Sequence, residues 1–162
     1  PTNRGCRIAP RLYRLRPWPS PTPSKPIMSP LRRSPLLPVN VTCGFPSPAE
    51  DFYGAGDGLD LNQHCISNPV ATFFAQADTG TSMVGFGIQP GDTLIVDRSR
   101  TPKSGDIVMV NWEGGFTVKK LVQRRCHFEF HSSAEDIPPI IVPPDIELDV
   151  WGAVTWSFTR HA

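Results

Sequence analysis

The sequence predicts a mainly β domain of about 120 residues, and three observations point to it. Beyond residue 42, short apolar runs rich in β-branched and aromatic residues are punctuated by Gly, Pro and Asp, the mark of many short strands. Within them, Phe116-Thr117-Val118-Lys119-Lys120-Leu121 alternates with the period of two that a strand imposes. Only one short segment, residues 59–66, has helical spacing.

Taken in order, that helix puts Leu59, Asn62, Gln63 and Ile66 on a shared face before Asn68-Pro69 stops it. Strands are expected at 72–77, 93–96, 107–112, 116–122, 127–131, 140–142 and 150–158. Pro90-Gly91-Asp92 and Ser104-Gly105-Asp106 each read as a tight turn opening a strand, glycine supplying the positive φ. Glu113-Gly114-Gly115, between two apolar runs, reads as a hairpin loop. No internal repeat is visible.

Charge and proline divide the chain at residue 42. Residues 1–42 hold eight Lys or Arg, no acid and ten of the nineteen prolines; residues 43–162 hold eight bases against fifteen acids, a net of −7 within an overall +1. Proline at that density removes donors and blocks helix and sheet, so 1–42 is expected to be an extended or disordered arm. The chain opens on Pro1, and Met28 is the expected alternative start, with 1–27 upstream of it. The acidic body lacks the basic face that phosphate binding needs, so the domain is not expected to bind nucleic acid directly. Cys6, Cys43, Cys65 and Cys126 show neither CxxC nor Cys/His ligand spacing, which fits a reducing cytoplasm better than a disulfide scaffold. No apolar run nears the roughly 20 residues of a membrane span, and no signal-peptide stretch opens the chain. A soluble, cytoplasmic protein is expected.

Two residue types in the β segment carry chemistry. Ser82 follows the strand at 72–77 after a glycine turn, a place where a hydroxyl can face outward and backbone N–H groups can converge on an oxyanion. Serine near its free pKa needs a base. His64, His127, His131 and His161 stand in no triad context and are expected at the surface or in cross-strand packing. Lys119 and Lys120 point to opposite faces of their strand, so one faces its apolar side, loses hydration and has its pKa lowered. Each unit of lowering costs about 1.4 kcal/mol, which favours a function for the lysine. On residues alone both alternatives stay open: serines beside glycines are mostly turn residues, and paired lysines in a strand are mostly solvated.

The stretch Cys43-Gly44-Phe45-Pro46-Ser47-Pro48-Ala49 closely resembles the self-cleavage site of UmuD proteins. Asp60-Leu61-Asn62, Pro69, Ala71-Thr72-Phe73-Phe74, Ser82-Met83, residues 91–97 (Gly-Asp-Thr-Leu-Ile-Val-Asp), Gly105-Asp106-Ile107-Val108, residues 116–121 and Leu148-Asp149-Val150-Trp151-Gly152 continue the match in order across 43–158. The chain therefore resembles the LexA/UmuD family of self-cleaving serine peptidases. That resemblance implies a compact β-rich, β-clip-like peptidase domain over 43–162, preceded by the arm. It implies Ser82 as nucleophile, Lys119 as general base, the backbone N–H groups of Ser82 and Met83 at the oxyanion, and Cys43-Gly44 as the bond cut, with no cofactor or metal. It further implies stimulation by RecA filaments on single-stranded DNA. The shortened product, residues 44–162, would be a homodimer serving a UmuC-type polymerase in error-prone translesion synthesis during the bacterial SOS response.

One departure stands out: where relatives read Ala-Ser-Gly-Asp-Ser-Met, residues 77–83 have an extra residue and Thr81 in place of Asp. Type I signal peptidases share a Ser-Met and a lysine, and Asp97-Arg98 with Gly105-Asp106-Ile107-Val108 resembles their motifs, but their apolar anchor is absent. A LexA-like repressor would need a helical DNA-binding domain, for which 1–42 is too short and proline-rich. A cleavage-inactive dimerisation and polymerase-binding module is the remaining alternative.

Overall fold

The computed structural model describes residues 58–143, 146 and 149–161, together with the backbone of residues 34–35. The rest of the expected arm, and Cys43 and Gly44, lie outside the described residues. The described residues belong to two units, divided between Ser67 and Asn68.

In the first unit β1 (Ser34–Pro35) pairs antiparallel with β2 (Gly58–Leu59), and α1 (Leu61–Cys65) follows. The helix expected over 59–66 is a shorter segment because Asp60 caps it. At φ −100° Asp60 is extended, and its Oδ1 accepts the Asn62 N–H at 2.8 Å. Leu59 therefore stays in the strand, and Ile66 is extended again.

The second unit carries a seven-stranded antiparallel sheet. Its strands are β3 (Thr72–Gln76), β4 (Thr93–Asp97), β5 (Ile107–Trp112), β6 (Gly115–Gln123), β7 (Phe128–His131), β8 (Ile140–Val142) and β9 (Val150–Phe158), in the order β3-β4-β9-β5-β6-β7-β8. The mainly β expectation holds, and β5, β8 and β9 span the expected residues. β3 stops one residue early because the Ala77 N–H and C=O bond to Asp92 O and Gly91 N–H of the next turn, at 2.8 and 3.0 Å. The turns at Gly91 and Gly105 have the expected positive φ, 84° and 100°. Trp112 pairs with Gly115, so the β5–β6 loop has only two residues. Glu113 (φ 53°) and Gly114 (φ 84°) both adopt positive φ, as a type I′ turn requires.

Side chains pack in two buried clusters. Val108, Val110, Leu121, Phe128, Phe130, Val142 and Val150 form one. Met83, Ile88, Leu94 and Val96 form the other, with Ile107, Met109, Val118 and Trp151 packed against it. β5 sends alternate residues into both, which is why its sequence is a nearly continuous apolar run rather than an alternating one. β9 holds the sheet together through two register shifts, passing over Thr155 opposite β4 and Trp151 opposite β5. Gly152 lies in the second of these; a Cβ there would come within 2.7 Å of Val96 Cγ1, so β4 can approach only a glycine. Among the described residues no helix is long and apolar enough to cross a membrane.

Candidate active site

Ser82 is positioned by the residue after it. Beyond β3 the chain runs through the exposed segment 78–81, and then Met83 drops into the second cluster at 5% exposure. That anchor starts the 3-10 turn Val84–Phe86 and leaves Ser82 half-buried at the edge of a cleft of about 300 Å³. Gln76, Asp78, Gly80, Phe116 and Thr117 also line the cleft. The backbone N–H groups of Ser82 and Met83, expected at an oxyanion, sit immediately ahead of the 3-10 turn.

Lys119 arrives from β6. Its ladder partner is Val108, fully buried, and Leu121 two residues on is fully buried too, so Lys119 shares its face with the first cluster. Lys120, on the opposite face, places its ammonium 4.8 Å from the centre of the Phe86 ring. The alternation expected of the pair is thus realised: Lys119 lies on the face of the first cluster, and Lys120 on the face of Ile107 and Val118, which pack against the second. Burial strips water from its amine and pushes its pKa below the ordinary lysine value. Lys119 Nζ lies 3.3 Å from Ser82 Oγ and 3.0 Å from Ser132 Oγ. The segment 78–81, where the extra residue falls, is exposed, and Asp78 Oδ1 accepts the Thr79 N–H within it at 2.7 Å.

Two further hydroxyl residues, absent from the reading of the sequence, adjoin the pair. Ser132 reaches Lys119, and Ser133 reaches the backbone of Ser82: its N–H and Oγ–H donate to Ser82 O at 2.7 and 3.0 Å, while its Oγ accepts the Gly85 N–H at 2.9 Å. A Ser-Ser pair after a strand carries no local signal. Only the β6–β7 hairpin brings it across to Ser82.

Other sequence candidates take structural places. His131 Nε2 and His127 Nε2 lie 2.7 and 2.9 Å from the carboxylate of Glu129, joined by Arg124 Nε at 3.0 Å. These hydrogen bonds, His131 first, hold Glu129 down to about 2 from the ordinary 4.5. In Asp97-Arg98, Asp97 Oδ1 accepts from Ser99 N–H and Oγ–H at 2.7 and 2.6 Å. Arg98 donates Nε–H to Trp151 O at 3.0 Å with its guanidinium 4.9 Å from that ring. Arg98 thereby braces the β4–β9 junction, and Asp97 the chain leaving β4. Cys65 and Cys126 carry free thiols. Among the described residues no cluster of three His, Cys, Asp or Glu side chains is placed to hold a metal ion.

Comparison with known proteins bears on the family of the chain. A family model described as Peptidase S24-like matches residues 35–155. Protein ImpA of Salmonella typhimurium is 51% identical over 90 residues, 56% of this chain and 60% of its own length. Protein MucA of Escherichia coli is 36% identical over 130 residues, covering 78% of this chain and 85% of MucA. The LexA repressor of Bordetella avium is 30% identical over 150 residues, 88% of this chain and 65% of the repressor. The match to ImpA thus spans about three fifths of that relative. With a family model covering most of the chain and MucA matched over most of its own length, the chain belongs to the Peptidase S24-like family.

Proposed function

We propose that this protein is a self-cleaving Ser-Lys peptidase of the UmuD type that cuts its own Cys43-Gly44 bond. The supporting observation is the approach of Lys119 Nζ to Ser82 Oγ, 3.3 Å, on an apolar strand face that favours the neutral amine. In the proposed reaction the Lys119 amine takes the Ser82 proton and Oγ attacks the Cys43 carbonyl carbon. The oxyanion lies against the N–H groups of Ser82 and Met83. Collapse expels the Gly44 amine, which takes the proton from Lys119, and water then releases the Cys43 acyl group from Ser82. Because the scissile segment is part of the same polypeptide, tethering supplies orientation that a bimolecular substrate would lack. A partner that stabilises the docked segment would switch cleavage on by population shift, the part assigned to a RecA filament on single-stranded DNA. The product, residues 44–162, is assigned as a cytoplasmic homodimer that joins a UmuC-type polymerase, to which DNA contact is delegated.

Incubation of the full chain at alkaline pH tests the reaction by mass spectrometry. The expected product begins at Gly44, and neither Ser82→Ala nor Lys119→Ala forms it. Cleavage at that bond by either variant would refute the dyad. An intact wild-type chain, with and without RecA filaments, would leave a non-cleaving dimerisation module.

A further inference from the structure

We propose that Ser132 and Ser133 form a positioning clamp across the two halves of this site, Ser132 aiming the Lys119 amine and Ser133 fixing the backbone of Ser82. The inference rests on the Ser82–Lys119 reading and extends it to residues that the family's dyad does not include.

The chemistry of a neutral amine makes the first half necessary. A primary amine has two N–H bonds and one lone pair, and it acts as a base only through the lone pair. A lysine at the end of four rotatable bonds has no intrinsic reason to aim that lone pair at Ser82. Ser132 Oγ, 3.0 Å away, supplies the reason: by accepting one N–H it limits the rotation of the amine and leaves the lone pair for the Ser82 hydroxyl at 3.3 Å. The same Oγ accepts from the ammonium when Lys119 is charged. Among the charged groups on the neighbouring segments, His131 turns to Glu129, Lys120 lies over Phe86, and Asp78 lines the cleft.

Ser133 completes the clamp. Its N–H and hydroxyl both donate to the carbonyl of Ser82, at 2.7 and 3.0 Å, and its Oγ takes the Gly85 N–H at 2.9 Å. Three bonds from one residue tie the nucleophile's turn to the chain leaving β7, next to the residue that holds the base. Nucleophile and base are thereby fixed by adjacent residues of one segment, and a misplacement of about 1 Å at such a pair costs on the order of 10²-fold in rate.

The test is the pH–rate profile of self-cleavage for wild type, Ser132→Ala, Ser132→Thr and Ser133→Ala, each checked for folding by circular dichroism. Ser132→Ala should lower the plateau on the order of 10²-fold and move the profile's midpoint to lower pH, because the ammonium loses an acceptor. Ser132→Thr, which keeps the hydroxyl, should restore both. Ser133→Ala should lower the plateau with the midpoint unchanged, since it touches Ser82 and not Lys119. A merely structural role would leave the midpoint in place in every variant. Lys119 is also titrated by NMR in the non-cleaving Ser82→Ala chain with and without Ser132→Ala, where the lower midpoint should reappear. That arm reads the clamp even if the wild type fails to cleave, which would sink the dyad alone. Unchanged midpoints in both measurements, or an unchanged plateau for folded Ser132→Ala, would overturn the clamp.

Discussion

Replacing Gly85 with alanine adds one methyl group at the point where the turn after Ser82 meets Ser133. The new Cβ would lie 2.9 Å from Ser133 Cβ and 3.2 Å from its Oγ, closer than carbon atoms tolerate, so one segment must move. Gly85 is not among the glycines with positive φ, and alanine at such a site ordinarily stabilises by about 0.4–1 kcal/mol through the unfolded state. The steric contact reverses that sign. Overpacking of one methyl costs about 1–3 kcal/mol. The displaced Ser133 also holds three hydrogen bonds, each worth about 0.5–1.5 kcal/mol net, so a loss of about 1–3 kcal/mol in unfolding free energy is expected. Cleavage should slow on the order of 10²-fold, because what moves is the support of Ser82. Urea unfolding and the alkaline cleavage assay read the two quantities. Ser133→Gly in the same chain removes the opposing Cβ, and the double variant should be less damaged than the sum of its parts by more than about 0.5 kcal/mol. A Gly85→Ala protein as stable as wild type or more so, cleaving at the wild-type rate, would refute the claimed packing of this turn.

Three other outcomes follow from the same structure. Lys119→Met should raise stability at neutral pH while abolishing cleavage, since it removes a desolvated charge. The unfolded chain binds a proton that the folded one resists, so wild-type stability rises as pH climbs from the lowered Lys119 value toward the ordinary 10.5, and the gap to Met should narrow in urea melts over that range. For Glu129 the sign is opposite. Its stabilisation is complete above 4.5 and disappears as pH falls toward about 2, so acid unfolding of Glu129→Gln should show a flatter dependence there than wild type. Phe130→Ala should cost about 3–5 kcal/mol in chemical unfolding, because Phe130 is 2% exposed in the first cluster and lies edge-on to Trp112.

Local pattern made the strands legible wherever local chemistry decides them. β5, β8 and β9 were visible from apolar runs bounded by turns, and Glu113-Gly114 marked the hairpin. The helix was overestimated because the spacing of Leu59 and Ile66 carries no information about the Asp60 cap that ends β2 and starts α1. The pairing of β1 with β2 joins segments more than twenty residues apart, and nothing in either two-residue stretch announces it. At the site, period two separated Lys119 from Lys120, but the desolvation of Lys119 depends on neighbours such as Val108 across the ladder. Ser132 and Ser133 were invisible for a related reason: their roles come from distances of 3.0 Å or less to residues 13 and 51 positions away.

The place of β9 has a consequence for how such a protein is made. It is the last strand of the sheet in sequence, yet it lies between β4 and β5. Ser82 belongs to the β3–β4 side and Lys119 with Ser132 and Ser133 to the β5–β8 side, so on a ribosome both sides are synthesised before the strand that joins them. β4, paired with β3 on one side, must wait for its other partner about sixty residues downstream, the kind of distant pairing that makes folding slow. In a nascent chain the seven-stranded sheet therefore cannot close until synthesis has passed β9.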